Sequence, residues 1–359
     1  MTPVASRQRP GSHAATGASV AASLIVVACA LARVPDYLLR ATGIRAWVPA
    51  LIGVMALVNA ARAIAQAPFT FRHRTTSAFR WAGGQVKTVA ATIIVGAALT
   101  VPLYALIRAT SNWWLWAWAF FALVTVVAQL AMPVILRVQT GPLSPASVEL
   151  ADQVAAIATR AGVNVGAVLV ADRAFGKGPR CNAYVVGWGP TRRVVLESGI
   201  AAWPRALLDQ VVAHEIGHWR LRHTARRLPV TLVAQLATFV LAAAALSFQP
   251  LLDVTGLARV GDPRSYPLVL ALTVVLVLPA RVALAAHDRR QERQADQFAL
   301  TLLGDAAHFE AMLDRAADDG GAPRQLAWWR HSTAGHPPIA ERILACQRFA
   351  RANPMRSFS

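Results

Sequence analysis

The chain has 359 residues, of which 55% are hydrophobic and only 15% charged, a balance too apolar for an ordinary soluble domain and typical of a polytopic membrane protein. Its formal net charge is +18, but the arginines cluster in short segments beside apolar runs, as the positive-inside rule expects. No basic stripe with interleaved aromatics lies elsewhere, which excludes nucleic acid as a partner.

Six stretches carry no formal charge over a length that suits a bilayer span, for which about 20 apolar residues are needed. In chain order they are Ala14–Ala32, Ala46–Ala61, Thr88–Ile107, Ala109–Leu136, Leu228–Leu252 and Ser265–Ala280. The second and sixth are short and lengthen if Arg62 and Arg281 snorkel or face a polar interior. Pro49, Pro102, Pro133 and Pro279 lie inside these runs, where neighbouring helices or waters satisfy the carbonyls that proline leaves unpaired. Trp113, Trp114, Trp116 and Trp118 open the fourth run as an interfacial belt.

The first run reads as an uncleaved signal anchor, since more spans follow it; Val26–Cys29 nevertheless offers a lipoprotein-type cleavage site. Loop charge sets the orientation. Arg7 and Arg9 at the start, and Arg62, Arg72, Arg74, Arg80 and Lys87 between runs two and three, belong in the cytoplasm. The loop after the first run, with Arg33, Arg40 and Arg45, fits this orientation least.

Two soluble segments remain, at 137–227 and 281–359. The first opens with a helix that Ser147 caps and Gly162 stops. The stretches "GAVLVAD", "NAYVVGWG" and "RRVVLES" then read as a small sheet, and a further helix opens at Pro204. The expected organisation is four spans in 1–137 and a cytoplasmic helix, sheet and second helix in 138–227. A transmembrane hairpin follows in 228–280, then a cytoplasmic region in 281–359. The three cysteines, Cys29, Cys181 and Cys346, are isolated and suggest no disulfide framework, which fits a cytoplasm-facing soluble part.

The chemistry sits in His214, Glu215 and His218, an H-E-x-x-H pattern. On a helix the two histidines share a face, so their imidazoles converge on one tetrahedral metal. Glu215 is turned one residue round and aims at a water beside the metal, whose proton it can take. A third ligand is still needed. Glu292 and Asp296 are four apart in "ERQAD"; Glu292 can complete the set and Asp296 can orient a ligand histidine through its other ring nitrogen. His287 competes for the third place, whereas His223, about 140° round a continued helix from His218, points away from the metal.

His336 precedes two prolines that pin its backbone, and it could donate to an oxyanion. Arg342 could fork to a carboxylate of the substrate or of the site. The 182–187 strand could accept an extended peptide, with Asn182 bonding its backbone and Tyr184 on the same side.

These segments resemble integral-membrane zinc metallopeptidases of the CAAX prenyl protease type I group and their heat-shock membrane protease relatives. "HEIGHWRLRHT" (His214–Thr224) is similar to the family's metal helix. "ERQAD" (Glu292–Asp296) resembles its E-x-x-x-D segment, "NAYVVG" (Asn182–Gly187) the strand lining its cleft, and "HPPIAERI" (His336–Ile343) its late H-P-P segment. The resemblance runs from about Pro145 to Cys346, and four spans before the metal helix lean towards the prenyl protease side. It implies one zinc ion per chain, a third ligand and a supporting acid from "ERQAD", and substrate or oxyanion contacts from Asn182, His336 and Arg342.

The expected protein is therefore an α-helical polytopic membrane protein of six spans with a small cytoplasmic α+β, zincin-like catalytic region. It sits in the plasma membrane if prokaryotic, with its site facing the cytoplasm. Its expected function is that of a membrane-embedded zinc metalloendopeptidase acting on membrane-associated, prenylated or misfolded proteins. Two alternatives differ in class. A sensor protease that cleaves a cytoplasmic regulator needs a large outward domain, and the outward loops here are short. A non-catalytic scaffold fits poorly with metal and base positions that are all filled.

Overall fold

The computed structural model describes residues 24–43, 45–71, 78–140, 143–171, 182–187, 192–319 and 324–353. After a helical stretch at 24–31, the chain forms α1 (Val34–Thr42), α2 (Trp47–Phe71), α3 (Ala78–Ala109) and α4 (Trp113–Thr140). Then come β1 (Leu143–Pro145), α5 (Val148–Arg160), β2 (Ala167–Ala171), β3 (Ala183–Val186) and β4 (Arg193–Glu197). The short α6 (Ser198–Ala201) leads to α7 (Arg205–Arg220), α8 (His223–Leu246) and α9 (Gln249–Thr255). A 3-10 turn (Pro263–Ser265) precedes α10 (Tyr266–Leu303), α11 (Ala306–Asp318), α12 (Trp328–Thr333) and α13 (Ile339–Ala352).

Among the described residues five helical stretches are long and apolar enough to cross a membrane: Trp47–Ile64, Val89–Ala109, Trp113–Met132, His223–Leu246 and Pro263–Leu303. They coincide with the second to sixth apolar runs. The first run, Ala14–Ala32, lies mostly outside the described residues. Large apolar side chains on these helices, among them Ile94, Val95, Leu123, Leu130, Leu241, Val275 and Leu278, are exposed. Such a surface calls for lipid.

Two helix boundaries differ from those of the apolar runs. The run Leu228–Leu252 is not one element: α8 begins earlier, at His223, and ends at Leu246, and α9 starts afresh beside Pro250. Proline cannot donate to the preceding turn and disfavours helix in the residue before it. The sixth run and the "ERQAD" segment, in contrast, belong to one helix, α10, whose 38 residues extend about 57 Å at 1.5 Å per residue.

The chain divides into two compact units, residues 1–120 with 235–279, and residues 121–234 with 280–359. In the first, Val26, Leu51, Val54, Met55, Val58, Tyr104 and Tyr266 form a buried apolar cluster. Tyr104 meets Ser265 there through a 2.8 Å hydroxyl contact, which satisfies two polar groups in an apolar setting.

The second unit holds a four-stranded mixed sheet of order β1-β2-β4-β3. β2 and β4 are parallel, while β1 and β3 pair antiparallel to β2 and β4. Ser147 caps α5 by accepting from the Leu150 N–H, and Gly162, at φ 65°, follows its end in the left-handed region open to glycine. α7 packs on α5, β3 and α11, and α11 packs on α13. Their shared core contains Val154, Leu196, Leu208, Val212, Ile216, Phe309, Leu313 and Ile339. The helix bearing the H-E-x-x-H residues is thus fixed on several sides by apolar burial.

Candidate metal centre

Pro204 caps the start of α7, and its carbonyl accepts from the Leu207 and Leu208 N–H groups. The helix runs straight through His214, Glu215 and His218 and stops at Leu221. Arg222 then takes a positive φ of 54°, which turns the chain into α8 at His223. Gly217, between the two motif histidines, lets α10 approach closely. A Cβ there would stand 3.0 Å from Phe298 Cδ1 and 3.4 Å from Ala295 Cα. One turn away on α10, Glu292 faces the two histidines.

His214 Nε2 and His218 Nε2 are 3.3 Å apart. Glu292 stands 3.5 Å from each, with Oε2 towards His214 and Oε1 towards His218. A tetrahedral zinc with bonds of 2.0–2.1 Å places its ligand atoms ~3.3 Å apart, so the three donors have the spacing that zinc demands. Glu292 Oε2 is buried, and among the described residues no group donates a hydrogen bond to it. An anionic oxygen in that state is costly unless a cation or donor joins it. Donor chemistry, spacing and the orphaned oxygen all fit a zinc ion held by His214, His218 and Glu292.

The far side of each histidine ring is also engaged. His214 Nδ1 lies 2.9 Å from Asp296 Oδ1. Asp296 is gripped by Arg342 through two donors, Nε to Oδ2 at 2.8 Å and Nη2 to Oδ1 at 2.6 Å. His218 Nδ1 lies 2.9 Å from His223 Nδ1, and His223 Nε2 lies 3.2 Å from Gln294 Oε1. The amide oxygen can only accept, so His223 carries its proton on Nε2 and accepts on Nδ1. His218 then donates from Nδ1, which leaves the lone pair of its Nε2 directed at the metal position.

Protonation in the metal-free site follows from these contacts. Burial works against a charge on His214, but the carboxylates of Asp296 and Glu292 outweigh it and push its pKa up to about 10. Burial, and then the positive charge of His214, push His218 down to about 3. Burial raises Glu215 to about 7, with His214 opposing the shift. The two histidines therefore carry one positive charge between them, on His214, while His218 is neutral.

His336, exposed at the edge of the site, places Nε2 3.4 Å from Glu292 Oε1. Arg289 holds the segment before it by donating to the His331 and Ala334 carbonyls. Asn182 and Tyr184 lie at the start of β3 and within it, on the edge strand packed against α7. Of the two partners open to Arg342, the structure supplies the internal one. Its donors hold Asp296.

His287 does not join the ligand group; Gln291 Nε2 engages it at 2.9 Å and also donates to the His223 carbonyl. His223 stays outside the ligand group, as its offset implies, but it contacts a ligand candidate from behind. The 140° offset assumed an unbroken helix, and the turn at Arg222 brings the ring back to His218. Gln294, Gln291 and Arg289 were hidden in a segment that reads as a solvated charged face. Arg227 forks to Asp288, with Nε to Oδ1 at 2.7 Å and Nη2 to Oδ2 at 3.2 Å.

Comparison with known proteins agrees with this geometry. A CAAX prenyl protease 1 homolog of Caenorhabditis elegans is 29% identical over 151 residues, 40% of this chain and 34% of that protein. The homolog from Dictyostelium discoideum is 25% identical over 229 residues, 60% of this chain and 52% of that protein. The chain thus spans between about a third and a half of these relatives' length. An uncharacterized metalloprotease of Bacillus subtilis, YhfN, is 26% identical over 293 residues, 77% of this chain and 66% of that one. The crystal structure of S. mikatae Ste24p shares the fold, with a TM-score of 0.65 at 17% identity over 84% of this chain and 77% of that one. Residues 147–350, more than half of the sequence and inclusive of every ligand described above, match Peptidase family M48, and the chain belongs to that family.

Proposed function

We propose that this protein is a membrane-embedded zinc metalloendopeptidase with one zinc ion per chain, held by His214, His218 and Glu292. The observation that carries the reading is the triangle of donor atoms with edges of 3.3, 3.5 and 3.5 Å, set beside Glu215 on the same helix. When bound, zinc lowers the pKa of a water molecule and polarises the scissile carbonyl.

The protein's own groups do the rest. Glu215, with a pKa raised to about 7, takes the proton of the attacking water and returns it to the leaving amine. Arg342 and Asp296 hold His214 in one orientation, and His223 with Gln294 holds His218. His336, at the exposed edge beside Glu292, donates to the oxyanion of the tetrahedral species. A peptide enters extended beside β3, the last strand of the sheet among the described residues, where Asn182 contacts its backbone and Tyr184 its side chains.

Substrates are membrane-associated proteins delivered to a site that faces the cytoplasm. The names of the curated relatives make prenylated proteins one such class, and misfolded membrane proteins are another. Support for the orientation comes from the basic segments at the start of the chain and between the first two described spans. The decisive variant is Glu215→Ala. Purified, it should keep its zinc and lose at least ~10²-fold in peptide cleavage, the usual contribution of a general base. Undiminished cleavage would refute the assignment.

A further inference from the structure

The first unit contains a cavity that the peptidase reading does not use. Its volume is about 360 Å³, and its lining includes Arg40, Arg45, Arg108, Arg259 and Arg264. Two carboxylates, Asp36 and Asp262, share the lining. Both go to Arg264: Nη1 donates to Asp36 Oδ1 at 3.1 Å, and Nε donates to Asp262 Oδ1 at 3.0 Å. Among the described residues Arg40, Arg45, Arg108 and Arg259 form no ion pair, although Arg259 also acts on Asp262, so positive charge is in excess around the cavity.

Arg40, Arg45, Arg108 and Arg259 are exposed to solvent, but parts of the cluster are held in place. Arg108 is fixed by means that leave its charge uncompensated: Nη1 donates to the Gly261 carbonyl at 2.8 Å, and its guanidinium lies 5.3 Å from the Trp47 ring centroid. Gly261 makes room for it, since a Cβ there would come within 2.8 Å of Arg108 Cγ. Arg264 is fixed by its two carboxylates. Arg40, Arg45 and Arg259 come from separate stretches of chain, yet they line the same space. Holding like charges around one cavity is unfavourable by itself and creates a focused positive potential. It is also the arrangement that binds a phosphoryl group, whose oxygens accept bidentate bonds from guanidinium forks.

Position adds to the case. The lining residues lie just outside apolar runs: Arg40 and Arg45 before α2, Arg108 at the end of α3, and Arg259 and Arg264 before α10. Residues at the ends of spans stand at headgroup level. The loop with Arg40 and Arg45 is also the one that fits the positive-inside orientation least, so its arginines call for another explanation.

We propose that this cavity binds a phosphoryl group, presented by an anionic phospholipid headgroup or by a small soluble phosphate. The test uses the purified full-length chain, wild type and the triple variant Arg40→Gln, Arg45→Gln, Arg259→Gln. In one arm, nanodiscs of mixed phosphatidylglycerol and phosphatidylcholine are analysed by native mass spectrometry for lipid retained on the protein. In the other arm, inorganic phosphate and pyrophosphate are titrated calorimetrically in nanodiscs of phosphatidylcholine alone.

A loss of about tenfold or more in phosphatidylglycerol retention in the variant supports the site with lipid as its source. A comparable loss in phosphate or pyrophosphate affinity, with lipid retention unchanged, supports it with a soluble source. Equal behaviour of the two proteins in both arms overturns the proposal, provided their zinc content and thermal unfolding match. If the triple variant does not fold, the three single glutamine variants are measured in the same two arms. No change in any of them is then the contrary result.

Discussion

Each unit of the molecule holds a cluster of charged side chains, and the two clusters are built on opposite terms. Around the metal ligands, charge meets charge: Arg342 grips Asp296, which reaches His214, and Arg227 grips Asp288. In the cavity of the first unit, both carboxylates bond Arg264, and among the described residues Arg40, Arg45, Arg108 and Arg259 form no ion pair. A compensated network fixes geometry, because moving any member unpairs another in a poorly hydrated setting. A cluster with excess positive charge attracts an anion, the more so at low salt. The first is the arrangement expected of groups that must hold a metal rigidly, the second of groups that await a ligand.

The comparison breaks most visibly at Asp296. Asp296→Asn removes the charge between Arg342 and His214 and should weaken zinc binding by about 10–100-fold, the usual cost of losing a partner behind a ligand. Chelator competition on the purified protein measures it. Unchanged affinity would show that the Arg342–Asp296–His214 chain does not position the ligand.

The pH dependence of zinc uptake sharpens the same point. In the metal-free site His214 stays protonated below a pKa of about 10, while His218, at about 3, is already neutral. Zinc must displace the proton on His214, so raising the pH favours binding. Apparent affinity should rise about tenfold per pH unit between pH 7 and 9, with one proton released per zinc. The Asp296→Asn variant lowers the His214 pKa, so its curve should level off at a lower pH. A flat profile in the wild type would mean that no ligand carries a proton in the apo form.

The smallest expected effect belongs to His223. His223→Ala frees the Nδ1 of His218 to choose either tautomer and should weaken zinc towards the low end of that range, about tenfold. The d–d absorption bands of the cobalt-substituted protein should shift in intensity as the site loosens. Gln294→Ala should move the same spectrum less. Spectra identical to wild type would make His223 a packing residue only.

How much of this was legible beforehand depended on the physical range of each signal. The H-E-x-x-H residues and Glu292 with Asp296 were readable because each pair lies four apart on one helix, a local geometry. The apolar runs were readable because composition alone sets them. Ser147 and Gly162 marked the ends of α5 for local reasons also. β1 was missed, since three residues ending in Pro145 carry no alternation and become a strand only by pairing with β2.

The contact of His223 with His218 was hidden for a different reason. Its position depends on one backbone conformation, the positive φ at Arg222, and no residue type there announces it. The partner of Arg342 was undecidable in sequence, because 46 residues separate it from Asp296 and both options had the same chemistry. The arginine cavity was invisible for the same cause: Arg40, Arg108 and Arg259 are distant in the chain and meet only in the fold.

The central claim is that one zinc ion sits among His214, His218 and Glu292. A crystal of the zinc-loaded protein, measured on both sides of the zinc absorption edge, tests it directly. The account predicts a single anomalous peak about 2.0–2.1 Å from His214 Nε2, His218 Nε2 and a Glu292 carboxylate oxygen. A peak at His287 or His336 instead, or no peak between the two motif histidines, would contradict it.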